Sequence, residues 1–222
     1  MEKPSIYNRY QRDVREASLW LSQQGYFGSL RGSGGNVSMR IDEQNMAITP
    51  SGVKYSEMSN DDICILGLDL AAREMKSGRT PSMESGMHSI IYRNRPDVNA
   101  VVHTHQTYGS VFALINTPIP ALFDEVSLSL GPEVAIVPYA FSGSAELAGN
   151  VGVTVANGAN ACIIQNHGIV AMGKSLDEAM QNAELLEKVA HVYCLALSTG
   201  KTLTTLPEAS LRTIEKMRKE KI

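Results

Sequence analysis

Cysteine is scarce in this sequence. There are three, Cys64, Cys162 and Cys194, an odd number without C-x-x-C spacing and set among apolar neighbours. That pattern fits neither a disulfide framework nor a redox dithiol, and the three read as reduced core residues. Long apolar runs are also missing: none approaches the ~18 residues of a membrane span. The opening MEKPSIYNRY holds no apolar segment of the signal-peptide kind. A soluble, cytoplasmic protein with no membrane partner is expected. Nor is there a basic surplus, since 20 Lys and Arg against 23 Asp and Glu give a formal net charge of -3. The one basic cluster, Lys216 to Lys221, reads as a solvated helix end, so a nucleic-acid partner is not expected. Internal repeats and low-complexity segments are absent too.

What is present is a globular composition, 43% hydrophobic and 19% charged, over 222 residues. That length suits one domain spanning 1–222. Helical spacing of Val14, Ala17 and Leu21 predicts a helix from about Tyr7 to Gln24, with Gly25 as its cap. The glycine-rich turn Arg31 to Asn36 leads into a hairpin, VSMRI and NMAIT, joined at Asp42-Glu43-Gln44. Asp62 to Leu66 reads as a buried strand. Pro81 and Ser82 sit at a helix start, and Glu84, Met87, His88 and Ile91 fall on one face of a helix that ends before Pro96. VNAVVHTH follows as a strand, then a helix over Gln106–Asn116 and a strand over Glu133–Pro138. A helix over Ser144–Ala156 has Ser144 as its N-cap. ACIIQNHGIVAMG reads as two strands broken at Asn166-His167-Gly168, followed by helices over Ser175–Leu197 and Leu206–Lys219. Short turns between strands favour antiparallel pairing over a doubly wound parallel sheet.

His103 and His105 stand one residue apart on an apolar strand, so both imidazoles can face one space. Imidazole suits zinc and similar divalent ions, and two ligands are too few. His167, before a glycine at a strand break, is the best third. His88 and His191 read as structural, His88 with a possible supporting role. Glu84 opens a helix, where a carboxylate is common for dipole reasons alone. Beside the histidines it could also serve as general acid or base. Asn36, Ser51, Gly52 and Ser82 lie in small turns of the sort that cradle phosphate, although most such turns are only turns.

Gly168 to Ser175 formally matches the nucleotide loop G-x-x-x-x-G-K-[ST]. Its Ile-Val-Ala-Met interior favours a strand, and Ser175-Leu176-Asp177-Glu178 fits a capping box, which leaves the nucleotidase reading little support.

Taken together, GSGGNVSMR, ITPSGV, PSMESGMH, AVVHTH and QNHGIVAMG resemble, in order and spacing, the class II aldolase/adducin family across nearly the whole sequence. The resemblance is strongest to its zinc-dependent aldolases of L-fuculose-1-phosphate type. It implies a three-layer α/β/α domain with a central, largely antiparallel β-sheet, assembled as a homotetramer with active sites between subunits. By position it implies zinc ligands His103, His105 and His167, and Glu84 as catalytic acid/base. Asn36, Ser51, Gly52 and Ser82 would bind the phosphate of a small phosphorylated sugar. Met83 stands where a second phosphate-binding serine is common, and a thioether cannot donate a hydrogen bond. Asp124, beside Glu125, occupies the position of a substrate-proximal tyrosine from a neighbouring subunit. It is either an interface acid/base or simply interface.

The implied reaction is reversible cleavage of a ketose phosphate to dihydroxyacetone phosphate and an aldehyde through an enediolate. Pentulose-phosphate 4-epimerases, methylthioribulose-phosphate dehydratases and sugar-acid-phosphate decarboxylases share that chemistry. A non-catalytic adducin-like scaffold is a further alternative, which the retained histidines disfavour.

Overall fold

The computed structural model describes residues 6–29 and 32–220. Arg31 of the glycine-rich turn and the final residues 221 and 222 lie outside the described residues. Nine strands are found there: β1 Asn36–Arg40, β2 Asn45–Ile48, β3 Cys64–Gly67, β4 Ala72–Glu74, β5 Ala100–Thr104, β6 Ile119–Pro120, β7 Glu133–Val137, β8 Ala161–Ile164 and β9 Gly168–Gly173. They form one sheet in the order β4-β3-β2-β1-β5-β9-β8-β7-β6. Only β7 and β8 run parallel, so the expected antiparallel character holds. The helices are α1 Asn8–Gln23, α2 Ser85–Asn94, α3 Thr107–Ile115, α4 Asp124–Leu130, α5 Ala145–Val155, α6 Leu176–Ser198 and α7 Glu208–Lys219.

Local chemistry sets the boundaries. Gly25, at φ +79°, ends α1: its N–H donates to Ser22 O while Tyr26 N–H donates to Leu21 O, the paired bonds of a Schellman cap. Asp42 accepts the N–H groups of Gln44 and Asn45, both at 2.8 Å, and so closes the β1–β2 hairpin. Ser144 caps α5 through Leu147 N–H, and Ser175 caps α6 through Glu178 N–H. Gly168 to Gly173 is strand β9, buried throughout. A Cβ on Gly173 would come within 2.7 Å of Ala179 N, which leaves no cradle for a phosphate. The nucleotide-loop match is therefore a strand followed by a capped helix. Three elements escape the sequence patterns, β4, β6 and α4, of 3, 2 and 7 residues, because none is long enough to show a period.

The sheet is buried on both faces, which explains why its central strands are continuously apolar. Ala100, Val102, Ile163, Ile169 and Ala171 face one core, shared with α1, α3 and α6. Val101, Cys162, Ile164, Val170 and Met172 face the other, under α2 and α5. Each fully buried aliphatic side chain contributes about 1.5–3 kcal/mol, and a one-residue slip would exchange the two sets, so register is firmly specified. Cys64 and Cys162 lie in the α2–α5 core, where burial pushes their thiols up to about 11 and about 12. No helix among the described residues is long and apolar enough to cross a membrane.

Asp62 anchors the segment that leads to α2. Its Oδ2 accepts from Ser59 N and Oγ, both at 2.8 Å, and its Oδ1 from Arg79 Nε at 2.7 Å and Lys76 Nζ at 3.1 Å. Burial raises this carboxyl's pKa, but the hydrogen bonds from Arg79, Ser59 and Lys76 outweigh it and hold it well below the carboxylate range. The stabilisation is thus complete above the ordinary aspartate pKa and is lost as the pH falls through the depressed one. Asp62→Asn is expected to cost roughly 2 kcal/mol at pH 7, the scale of hydrogen bonds to charged groups. Urea denaturation should show the two proteins converging in strong acid. An undiminished gap there would contradict this account.

Candidate active site

The register of β1 against β5 pairs Asn36 with His103 at the end of β5. Since Val101 faces α2, so does His103 two residues on. His105 lies just past the strand, and its imidazole is placed by packing: a Cβ on Gly34 would meet its Nδ1 at 3.1 Å, and one on Gly168 its Cδ2 at 2.7 Å. His167, in the β8–β9 turn after Asn166 at φ +55°, completes a triangle with ring centroids 4.8–5.3 Å apart. The three expected histidines therefore converge, each offering one nitrogen within 4.8 Å of the others. His191 stands elsewhere, stacked on Tyr108 at 3.8 Å.

The donor set fits a divalent ion. His103 Nδ1–H donates to Ile169 O at 2.8 Å, which leaves the Nε2 lone pair free for a ligand. His105 Nε2 lies 3.2 Å from His103 Nε2. That spacing suits a hydrogen bond from His105 Nε2–H to the His103 lone pair, and it also suits two ligands of one ion, since ligand atoms about 2.0–2.1 Å from a tetrahedral zinc are separated by about 3.3 Å.

Glu84, buried at the start of α2, places Oε2 at 3.2 Å from His103 Nε2 and Oε1 at 3.4 Å from His167 Nε2. It can add a carboxylate ligand or move a proton at the same place. Burial raises its pKa, but His103, His167 and the Asn36 amide overcome that and hold it low. The counterpart is His103, which burial lowers and Glu84 raises further, to a net increase. His105 is pushed down to about 4 by burial and by His103 and His167, and His167 is lowered by burial and by His103.

The remaining residues divide. Ser51 N–H donates to Thr80 O and Ser82 N–H to Thr49 O, so the turn with Ser51 and Gly52 is pinned beside Ser82 and Glu84. Gly52, at φ +69°, is open to solvent. Ser82 Oγ accepts Glu84 N–H at 3.3 Å. Met83 is exposed, and its carbonyl would lie 2.8 Å from a Cβ on Gly143. Asn36 does more than a turn residue, as its amide is engaged by Glu84 and His88. Asp124 and Glu125 open α4, and Glu125 lies 3.8 Å from Lys188. Glu125 lines a cavity of about 700 Å³ that reaches Gly173, the end of β9 remote from His167. Within one chain the structure does not bring Glu125 to the histidines. The sequence patterns missed Tyr55, whose hydroxyl donates to Gly34 O and Gly35 O and whose ring stacks on Phe27. Tyr55 thereby holds the loop against His105.

The chain has counterparts among known proteins. The Class II Aldolase and Adducin N-terminal domain matches residues 12–194. A 5-deoxy-D-ribulose 1-phosphate aldolase from Bacillus thuringiensis serovar kurstaki is 35% identical over 190 residues, covering 85% of this chain and 87% of its own. An L-fuculose phosphate aldolase from Escherichia coli O6:H1 is 28% identical over 207 residues, 93% of each chain. A solved L-fuculose 1-phosphate aldolase superposes with a TM-score of 0.85 at 32% identity, covering 98% of this chain and 97% of that one. The family match and the shared fold together show that the chain belongs to the class II aldolase and adducin family.

Proposed function

We propose that the protein is a zinc-type, metal-dependent aldolase. It joins dihydroxyacetone phosphate reversibly to a small aldehyde, giving a ketose 1-phosphate of the L-fuculose or 5-deoxyribulose type. The observation that carries this is the Glu84 carboxylate held 3.2 Å and 3.4 Å from two nitrogens of a three-histidine cluster. His103, His105 and His167 would hold the ion. When bound, such an ion supplies Lewis-acid polarisation of a carbonyl and stabilises developing negative charge.

In the direction of synthesis, Glu84 takes a proton from C3 of dihydroxyacetone phosphate and the C–H electron pair remains in an enediolate. The nucleophilic carbon attacks the aldehyde carbonyl, forming the new carbon–carbon bond. The proton held by Glu84 returns to the alkoxide oxygen, so the cycle conserves protons. Ser51, Gly52 and Ser82 would bind the phosphate, with Asn36, hydrogen-bonded to Glu84, beside them. Asp124 would act only from a neighbouring subunit of a homotetramer in the cytoplasm.

Mass spectrometry after incubation with a panel of ketose 1-phosphates, pentulose 5-phosphates and sugar-acid phosphates tests the reaction class. Cleavage to dihydroxyacetone phosphate is expected for at least one ketose 1-phosphate. Epimerisation, dehydration or decarboxylation without cleavage would replace this reading with that of a sister activity.

A further inference from the structure

Glu84, His88 and Tyr92 recur every four residues along α2 and its N-cap, and Asn36, Ser38 and Arg40 every two along β1. Four helical residues rise about 6 Å and two strand residues about 6.6 Å, so the two rows stay in step where they face each other. The contacts alternate between them. Asn36 Nδ2 donates to Glu84 Oε2 at 2.8 Å, and His88 Nε2 meets Asn36 Oδ1. His88 Nδ1 meets Ser38 Oγ at 2.6 Å, and Ser38 Oγ meets the Tyr92 hydroxyl at 2.7 Å. Arg40 ends the row, donating to Tyr92 O at 2.6 Å with its guanidinium 4.8 Å above the Tyr92 ring. Asn36, Ser38, His88 and Tyr92 are all buried.

Every donor in this chain is dictated by the first. A carboxylate only accepts, so the Asn36 NH₂ must face Glu84 and its carbonyl must face His88. His88 then carries its proton on Nε2, its Nδ1 accepts from Ser38, and Ser38 accepts from Tyr92. An amide cannot pass a proton along without becoming an imidic acid. The row therefore orients Glu84 and does not conduct protons.

We infer that His88, Ser38 and Tyr92 are positioning residues that act through Asn36 to fix Glu84 Oε2, leaving Oε1 as the oxygen that exchanges protons with substrate. Oε1 is buried without a hydrogen-bond partner, its contact to His167 Nε2 lying at 3.4 Å. The inference rests on Glu84 as acid/base and assigns that role to one of its two oxygens. It also ties Asn36 to Glu84 more closely than to phosphate.

The test uses the full chain loaded with zinc, with exchange of the C3 proton of dihydroxyacetone phosphate in D₂O followed by NMR. His88→Leu keeps the volume and removes both ring contacts. His88→Gln can again donate to Asn36 and accept from Ser38. His88→Leu is expected to lower kcat by about 10–100-fold, the range for residues that support a site from behind. KM and zinc content should be unchanged, and His88→Gln should recover most of the loss. Wild-type kcat in His88→Leu, or a loss confined to KM or zinc, overturns the inference. If His88→Leu does not fold, Tyr92→Phe removes the terminal donor and should give a smaller kcat loss in the same direction.

A readout independent of turnover is the ¹⁵N spectrum of labelled histidine. It should show His88 neutral and protonated on Nε2, and an Nδ1–H tautomer would overturn the row. If the wild-type protein exchanges no C3 proton, it is the aldolase reading that fails. The tautomer, together with the Glu84 carboxylate in a crystal structure of His88→Leu, then decides the positioning: rotated supports it, unmoved overturns it.

Discussion

Glu84→Gln is expected to lower turnover by about 10²–10⁴-fold, the contribution of a positioned general acid/base, while the protein stays folded and keeps its ion. The amide has the carboxylate's shape and can still accept from Asn36, so the hydrogen bond at 2.8 Å survives. What it cannot do is carry a proton away from carbon. Ion binding should survive because Glu84 raises His103's affinity for protons, and its removal leaves that imidazole more readily neutral. Zinc content by elemental analysis should remain near one per chain while proton exchange into dihydroxyacetone phosphate collapses. Normal exchange would remove Glu84 from the chemistry. Loss of zinc together with exchange would make it primarily a ligand.

The division between what was legible in the sequence and what was not follows the range of the interactions. His103 was readable because strand alternation alone sends it to the face opposite Val102, and Glu84 because Pro81 and Ser82 announce a helix start. His105 joins the cluster on grounds that strand alternation does not supply. The strand ends at Thr104, and the imidazole is aimed by Gly34 and Gly168, whose missing Cβ atoms make room for it. The role of Asn36 could not be read from its turn. It depends on β1 lying against β5 and under α2, a contact 48 residues away in sequence. The spacing of the two rows was nevertheless present, as N-x-S-x-R and E-x-x-x-H-x-x-x-Y, and becomes meaningful once the strand and helix are known to face each other. The reading of Asp124 and Glu125 came from alignment by position and concerns a neighbouring subunit. Glu125 opens on a different cavity, and a short helix without periodicity gave no local pattern to say so.

Removing the ion should cost both activity and stability, and His105→Ala is the cleanest way to separate this from general damage. His103 is wholly buried and bonded to Ile169 O, so its loss would wound the sheet, whereas His105 is partly exposed and holds no backbone group. An ion that binds only the folded state stabilises it by about 2.7 kcal/mol when present at one hundred times its dissociation constant. Wild-type Tm should therefore rise on adding zinc to chelated protein, and His105→Ala should show little rise and little turnover. The effect has a definite pH sense, because ligation requires neutral imidazole. His105, pushed down to about 4, and His167, also lowered, stay neutral into mild acid. His103, raised by Glu84, is the first to take a proton. The zinc-dependent rise in Tm should thus be present at pH 8 and fade as the pH falls through the imidazole range, led by His103. An equal rise in His105→Ala, or one that persists into strong acid, would place the ion elsewhere.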